Sequence, residues 1–458
     1  MCSTSMNPSK LLFTAGELER SGAGVWQRGS ADVTGVFTDT RQKNPGALFV
    51  ALAGEKFDAH NFLAAAGESG AAALCIEKAK VHLAPPGIPL LLCDDTLKAL
   101  QALGAFHRRR FSDLTVFAVT GSVGKTSVKE MLRAICTEAA GTPEKVLWTM
   151  GNTNNQIGVP QNLLRLDPSH RYAVLEAGTN HFGEIAPLSR CIGPDIALVN
   201  SIAPCHLEFL RDLEGVAEEK GHICDGLKPG GTAVFPAAVP QLEILRRRAP
   251  GRVLLFGEKQ GDVRSTYLGG SLLGSRFRLD FPGNRSFTVE WHLTGAHQAL
   301  NAAAAACAAT AAGISPETIA AGLARTELPG GRNRVFRAEG MTFVDDSYNA
   351  NPAAMRAALK TVREFADPAK LVLLLGEMRE LGAASEAAHR EILEAVKELF
   401  PGVRLIIVGS AFGPDALPDA AEAKKVLART ARPGDLVFVK GSRGVRLETA
   451  LPPAGEEL

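Results

Sequence analysis

The sequence predicts an α/β chain of three domains: a small N-terminal α/β unit (residues 1–94), a central parallel-sheet unit with a phosphate loop and an antiparallel hairpin (95–328), and a C-terminal Rossmann-like unit (329–458). Three observations predict it. The length, 458 residues, suggests about three domains at roughly 150 residues each. Continuous apolar strands alternate with helical periodicity from about Thr96 onward, the pattern of a parallel sheet covered on both faces. Pro- and Gly-rich punctuation falls at Pro85-Pro86-Gly87 (with Asp94-Asp95 following) and at Leu328-Pro329-Gly330-Gly331, where chains break between domains.

Each element follows from its residues. In the first unit, Val36–Thr40, Ala47–Ala51 and Leu74–Ile76 read as strands and Asn61–Gly70 as a helix. The second opens on a helix, Leu97–Arg109, whose Leu100, Leu103 and Phe106–His107 recur at helical spacing. Thr115–Val119, Tyr172–Leu175, Ile196–Val199 and Ala233–Phe235 are buried strands, and Gly215–Ile223 is helical. Phe277–Phe281 and Phe287–Trp291 alternate polar and apolar residues around Pro282-Gly283-Asn284, an antiparallel hairpin. A helix from Ala296 to Ala312 follows, its alanines a small-residue face. In the third unit, strands at Thr342–Asp345, Leu371–Leu375, Leu405–Val408 and Leu436–Val439 alternate with helices. No G-x-G-x-x-G follows the first of them, so a dinucleotide site is not expected there.

Composition excludes several classes. Fifty Lys+Arg against 49 Asp+Glu give a net charge of +1, which argues against a nucleic-acid binder. No run approaches the roughly 20 apolar residues of a membrane span, and MCSTSMNPSK lacks the basic start and apolar core of a signal peptide. Eight scattered cysteines (2, 75, 93, 136, 191, 205, 224 and 307) without a C-x-x-C read as buried free thiols in a reducing compartment. The expectation is a cytoplasmic, multidomain enzyme.

The chemistry concentrates around Gly121-Ser122-Val123-Gly124-Lys125-Thr126-Ser127, between the strand Thr115–Val119 and a helix. Glycines let backbone N–H groups approach phosphates, and a helix N-terminus adds positive potential. Lys125 would reach the β- and γ-phosphates and Thr126 a Mg²⁺ ion. The longer G-x-x-x-x-G-K-[ST] pattern fails because its first glycine would fall at Val119. The alternative, a glycine-rich turn with a solvated lysine, is disfavoured by the strand, loop and helix in register. Glu176 ends the strand Tyr172–Leu175, and His206 follows the strand Ile196–Val199. Both sit at strand ends, where open parallel sheets bind ligands. Alone, His206 would be structural; beside the loop and Glu176 it becomes a metal-ligand candidate. Zinc is disfavoured because Cys205, His206, His222 and Cys224 lack a C-x₂-C or H-x₃-H spacing. On composition alone Lys220, among Glu214, Glu218 and Glu219, is a surface lysine making ion pairs.

Several motifs then fall in one order: Thr38-Asp39-Thr40-Arg41, Pro45–Leu52, Phe57-Asp58-Ala59-His60, the phosphate loop, Gly151-Asn152-Thr153-Asn154-Asn155-Gln156-Ile157-Gly158-Val159-Pro160, Asp345-Asp346-Ser347-Tyr348-Asn349-Ala350-Asn351-Pro352, and Gly376-Glu377-Met378-Arg379-Glu380-Leu381-Gly382 with Ser385 and His389. Together they resemble the Mur ligase family over nearly the whole chain, and most of all its member that adds a D-alanyl-D-alanine dipeptide. The resemblance implies an ATP-dependent amide ligase acting on UDP-N-acetylmuramoyl-tripeptide through an acyl phosphate, in cytoplasmic peptidoglycan precursor synthesis. It makes the three units a UDP-sugar domain, an ATP domain and a ligase domain.

The resemblance also implies roles. Thr38, Asp39, Thr40, Arg41, Asp58 and His60 would hold the UDP-sugar, and Asn154 and Asn155 the same substrate near the phosphate loop. Thr126, Glu176, His206 and Lys220 would hold two Mg²⁺ ions, Lys220 as a carbamate. His297 and Asn301 would lie near the adenine and Asp346 at the ribose. Arg332, with Arg334 as the other candidate, would reach the γ-phosphate. Tyr348, Asn349, Asn351, Ser385 and His389 would surround the incoming dipeptide. Lys125, Glu176, His206, Lys220 and Arg332 form the implied catalytic set. The sequence departs from the family at Ala177 and Thr179, and Glu218-Glu219 stand before Lys220 where small residues are expected. The implied partners are UDP-N-acetylmuramoyl-tripeptide, D-alanyl-D-alanine and ATP, with no nucleic acid, no stable membrane insertion and a monomeric chain. Rival readings are a Mur-type ligase adding a single amino acid, a folylpolyglutamate synthase-like ligase, and a P-loop switch without amide chemistry.

Overall fold

A computed structural model describes residues 11–54 and 57–458; Cys2 and the rest of MCSTSMNPSK lie outside them. Three sheets of five, nine and six strands follow one another along the chain.

The first sheet runs Val25–Arg28, Leu90–Cys93, Ala73–Glu77, Leu48–Val50, Val36–Phe37 across its width. All its pairings are parallel except that of the Val25–Arg28 edge. The expected strand Val36–Thr40 stops at Phe37, which leaves Thr38–Arg41 as a loop beyond the strand end. The expected helix Asn61–Gly70 is a 3₁₀ turn, Ala59–Phe62, running into a short α-helix, Leu63–Glu68.

The central sheet runs Arg285–Trp291, Gly274–Phe281, Val263–Ser271, Arg252–Gly257, Thr232–Pro236, Ile196–Val199, Thr115–Thr120, Tyr172–Glu176, Val146–Trp148. The last six are parallel neighbours. Along the strand Thr115–Thr120, side chains alternate between two cores. Phe117 and Val119 join the helices Lys125–Ala140 and Ala296–Ala311 on one face. Val116 and Ala118 join Ile185–Ile192 and Leu213–Gly221 on the other. Gly274–Phe281 and Arg285–Trp291 pair antiparallel around the expected turn. The helix Ala296–Ala311 buries Ala302–Ala309 completely, so its alanines are not one small-residue face but an enclosed helix, apolar all round.

The C-terminal sheet runs Arg404–Val408, Leu371–Gly376, Leu436–Lys440, Met341–Asp345, Arg334–Ala338, Glu456–Glu457, with four parallel strands and an antiparallel edge. Leu371, Leu373 and Leu375 pack under helices Pro352–Phe365 and Ser385–Leu399; Val372 and Leu374 face helix Ala420–Thr430.

The helix Thr96–Arg109 is shared between units. Asp95 caps it by accepting from the Lys98 N–H at 3.0 Å. Ala99, Leu100 and Leu103 pack into the N-terminal core. At Gly104 a Cβ would stand 2.9 Å from Pro160 Cα, so only glycine lets this helix approach the central domain so closely. Cys75, Cys93, Cys136, Cys191, Cys205, Cys224 and Cys307 are buried free thiols. Among the described residues no helix is long and apolar enough to cross a membrane.

Candidate active site

The strand Thr115–Thr120 delivers its C-terminal end directly into the loop that precedes helix Lys125–Ala140. Gly124 caps that helix with φ +81°, a left-handed conformation that glycine adopts without a Cβ penalty. A Cβ at Gly121 would meet Asn200 Oδ1 at 1.8 Å. Asn200 and Ser201, just beyond the strand Ile196–Val199, hold the loop. Asn200 Nδ2 donates to the Val123 carbonyl at 2.6 Å and Ser201 Oγ accepts from the Val123 N–H at 2.9 Å. The Ser122 N–H donates to the Ser201 carbonyl, and Ser122 Oγ accepts from the Ala203 N–H. Sequence reasoning missed this pair; two polar residues immediately after a buried strand were the available signal.

Lys125 folds back to donate to the Gly121 carbonyl at 2.8 Å. Thr126 Oγ1 donates to Glu176 Oε2 at 3.0 Å, and Asn154 Nδ2 donates to Glu176 Oε1 at 2.9 Å. Glu176 is buried, its backbone N–H bonded to Thr149 Oγ1. The loop, Glu176 and Asn154 are therefore one cluster. Asn155 Oδ1 accepts from the Gly158 N–H at 2.9 Å, where helix Gly158–Leu163 begins. A hydroxyl and a carboxylate side by side are hard oxygen donors suited to Mg²⁺. Among the described residues no three His, Cys, Asp or Glu side chains gather as a metal cluster.

The surface-lysine reading of Lys220 is overturned: its side chain is fully buried and, among the described residues, takes no hydrogen bond or ion pair. Burial lowers its pKa to about 8. The two glutamates before it are occupied elsewhere. Glu219 accepts from the N–H groups of Gly183, Glu184 and Ile185 at 2.7–3.0 Å, anchoring the start of helix Ile185–Ile192. Glu218 pairs with Arg248 at 3.0 Å. Neither forms an ion pair with the ammonium, although the Glu219 charge offsets part of the effect of burial. His206 adopts a left-handed backbone, φ +49°, which costs a non-glycine residue roughly 1 kcal/mol or more. Its Nδ1 lies 2.7 Å from Glu380 Oε2, at ion-pair distance but outside hydrogen-bond geometry.

The C-terminal domain faces this cluster. Arg332 donates to Thr126 Oγ1 at 3.2 Å, and its guanidinium lies 3.6 Å from the centre of the Tyr348 ring. Arg334 instead pairs with Glu457 on the outer strand, so of the two arginines Arg332 is the one at the phosphate loop. Asp346 binds Lys440 at 2.6 Å, and Lys440 also donates to the Asn349 carbonyl; the lysine, a charge ending an apolar strand, was another missed signal. His297 lies within hydrogen-bonding reach of Thr361 Oγ1, 3.5 Å away, and burial lowers its pKa to about 4, so it is neutral at pH 7. Asn301 Oδ1 would stand 2.7 Å from a Cβ at Gly124, beside the loop. Asn349 Oδ1 accepts from the Ala350 N–H. Asn351 Oδ1 caps helix Pro352–Phe365 at the Ala354 N–H.

His389 is buried. Its Nδ1 lies 2.7 Å from the Ser385 carbonyl and its Nε2 accepts from the Met378 N–H. The histidine thus fixes the loop after Gly376, while Ser385 begins the helix that carries it. In the N-terminal domain Asp39 and Arg41 pair at 2.5 Å; hydrogen bonds from Arg41 lower Asp39 to about 2. Thr38 Oγ1 accepts from Gln161 of the central domain at 3.0 Å. His60 is enclosed. Its Nδ1 lies 2.6 Å from Asp58 Oδ1 and its Nε2 accepts from the Glu77 N–H. Asp58 also reaches Lys80 at 3.2 Å. Thr40 makes no side-chain hydrogen bond among the described residues.

A phosphate loop at a parallel sheet's edge, with an acidic oxygen cluster beneath it and an arginine reaching in from a second α/β domain, defines a nucleotide-dependent enzyme of the P-loop class. Residues 119–309 match the Mur ligase middle domain and residues 331–443 the Mur ligase glutamate ligase domain. A UDP-N-acetylmuramoyl-tripeptide–D-alanyl-D-alanine ligase of Escherichia coli K12 is 41% identical over 376 residues, 80% of each chain. The structure of MurF from Acinetobacter baumannii superposes with a TM-score of 0.88 at 34% identity, covering 97% of this chain and 98% of that one. MurF of Thermotoga maritima in complex with ADP gives 0.79 at 26% identity, covering 91% and 96%. The chain belongs to the Mur ligase family.

Proposed function

We propose that this enzyme joins D-alanyl-D-alanine to UDP-N-acetylmuramoyl-tripeptide at the expense of ATP, in peptidoglycan precursor synthesis in the cytoplasm. The observation that carries the reading is the contact of Arg332 with Thr126, which brings a cation of the C-terminal domain to the phosphate loop. The names of the relatives supply the substrates.

The tripeptide's terminal carboxylate attacks the γ-phosphorus of ATP, and the bond to the ADP oxygen breaks. An acyl phosphate and ADP result. The dipeptide amine then attacks the acyl carbon, loses a proton, and expels phosphate. The barrier in the first step is the approach of an anion to a polyanion, so catalysis is positioning and charge neutralisation. Backbone N–H groups of Gly124, Lys125 and Thr126 at the helix start, with the Lys125 ammonium, cradle the β- and γ-phosphates, those of Ser122 and Val123 being taken by Ser201. Arg332 faces the charge that develops in transfer, held flat by Tyr348. His297 and Asn301 take the adenine and Asp346 the ribose. Asn154 orients the muramoyl substrate toward the cluster. Thr38–Arg41 and the Asp58–His60 segment form the uridine diphosphate site, and Tyr348, Asn349 and Ser385 the dipeptide site.

Thr126, Glu176, His206 and Lys220 as a carbamate would hold two Mg²⁺ ions, which when bound screen the triphosphate's negative charge. Two features support the carbamate: Lys220 has no acidic partner, and its lowered pKa provides the neutral amine that adds to CO₂ with loss of a proton.

A coupled assay of ADP release tests the reading. Turnover is expected only with both the UDP-tripeptide and the dipeptide. Equal turnover with a single free amino acid in place of D-alanyl-D-alanine would mark a different ligase; ADP release without any acceptor would mark a P-loop switch.

A further inference from the structure

We propose that Glu380 is a positioning residue for His206, so that the C-terminal domain takes part in holding a metal-binding histidine of the central domain. This rests on the reading above that His206 ligates Mg²⁺.

Four observations carry it. First, the Nδ1 atom of His206 is buried, has no hydrogen-bond partner, and has the Glu380 carboxylate 2.7 Å away. Histidine ligands commonly donate their second ring N–H to a carboxylate, which fixes tautomer and ring orientation. A small rotation at this separation converts the contact into that bond and leaves Nε2, which makes no hydrogen bond among the described residues, as the ligating atom. Second, both partners sit on left-handed backbone, φ +49° at His206 and φ +63° at Glu380. Non-glycine residues persist there where surrounding structure holds them, typically at functional sites. Third, the Glu380 loop is built from several sides. His389 accepts from the Met378 N–H, Ser442 Oγ from the Arg379 N–H, and the Ser442 N–H donates to the Glu377 carbonyl. Fourth, the two loops meet closely: a Cβ at Gly382 would stand 3.4 Å from Glu208 Cα. Glu380 is therefore delivered to His206 by a loop fixed within its own domain. When the domains part, His206 loses its orienting carboxylate.

A simple docking ion pair would share the geometry but not the consequence, so metal affinity separates them. The variants are Glu380→Gln, which keeps the shape, and Glu380→Asn, which suits a left-handed backbone. The probe is Mn²⁺, titrated by electron paramagnetic resonance into the full chain with ATP. The expected result is about a 10-fold or greater loss of affinity for one Mn²⁺ in both variants. The Mg²⁺ concentration for half-maximal turnover should rise in step, with kcat largely recovered at saturating Mg²⁺. Unchanged Mn²⁺ affinity beside slower turnover overturns the proposal and leaves a docking contact. His206→Ala is the reference. If it too leaves Mn²⁺ binding intact, the assignment of His206 as a ligand falls and the proposal with it; if only the Glu380 variants are silent, the proposal falls alone.

Discussion

Single residues here show how sequence position and burial can point in opposite directions. Lys220 sits among three glutamates in the sequence, yet it is buried without an ion-pair partner, because Glu218 and Glu219 turn to Arg248 and to a helix N-terminus. Burial sets its folded pKa at about 8 against an ordinary 10.5. Between those values the unfolded chain binds the extra proton, so this residue makes stability rise with pH across that window. Below pH 8 the buried ammonium is fully unfavourable. Lys220→Met is therefore expected to stabilise the CO₂-free protein at pH 7 by roughly 1–3 kcal/mol, with the gain fading toward pH 10.5, while ligation is lost. Thermal unfolding in bicarbonate-free buffer at pH 7 and pH 10 checks it; a variant less stable than the parent at pH 7 refutes the account. Lys125→Ala should lower kcat about 10³-fold or more, and near-normal turnover would remove the phosphate-loop assignment.

At the scale of elements, the legible parts were those written in one continuous stretch. The strand, loop and helix around Lys125, the hairpin at Pro282–Asn284 and the four parallel strands of the third unit could be read because each carries its own periodicity or turn chemistry. What could not be read depends on partners far along the chain. The edge strands Val25–Arg28 and Val146–Trp148, and Arg334–Ala338 next to the C-terminal sheet's edge, are short and acquire their extended form from a neighbour's ladder. The same holds within the site. Glu176 and Thr126 could be placed because each ends or begins an element, whereas Asn200 and Lys440 gain a role only once separate strands lie side by side. His389, Asn155 and Asn351 have side chains committed to supporting local backbone. Asn200 gives this view a test. Its amide ties the strand end to the Val123 carbonyl, to which the Ser201 hydroxyl also donates, so Asn200→Ala should remove one of that carbonyl's two donors. The expected effect is about 0.5–1.5 kcal/mol, seen as a higher KM for ATP and a lower melting temperature. Gly121→Ala should be worse for ATP binding, since its Cβ has no space against Asn200. Wild-type ATP affinity in either variant would show that the loop is held by other contacts.

The whole molecule places its chemistry between domains rather than inside one. Gln161 of the central domain bonds Thr38 of the first. The third domain meets the second through Arg332 and Thr126, Asn333 and Thr294, Tyr267 and Glu364, and Glu380 and His206. Helix Thr96–Arg109 buries apolar side chains in the first domain, but apart from Leu272, which packs against the third domain's core, these contacts between the second and third domains are small polar ones. Such an interface can open and close at little cost, which a ligase needs: it must admit a large nucleotide-sugar and then exclude water from an acyl phosphate. In the proposed mechanism Arg332 is where closure and chemistry coincide. Its guanidinium lies over the Tyr348 ring and reaches Thr126 at the same time, a pair of contacts that a lysine's point charge does not reproduce. Arg332→Lys keeps the charge and loses the stack and the fork. If the arginine acts only in the closed state, the variant should bind ATP with KM changed less than about threefold while kcat falls 10- to 100-fold. Steady-state kinetics with both substrates saturating decides it. A raised KM at unchanged kcat would mean that Arg332 serves nucleotide binding in the open enzyme, and that closure is driven from elsewhere in the interface.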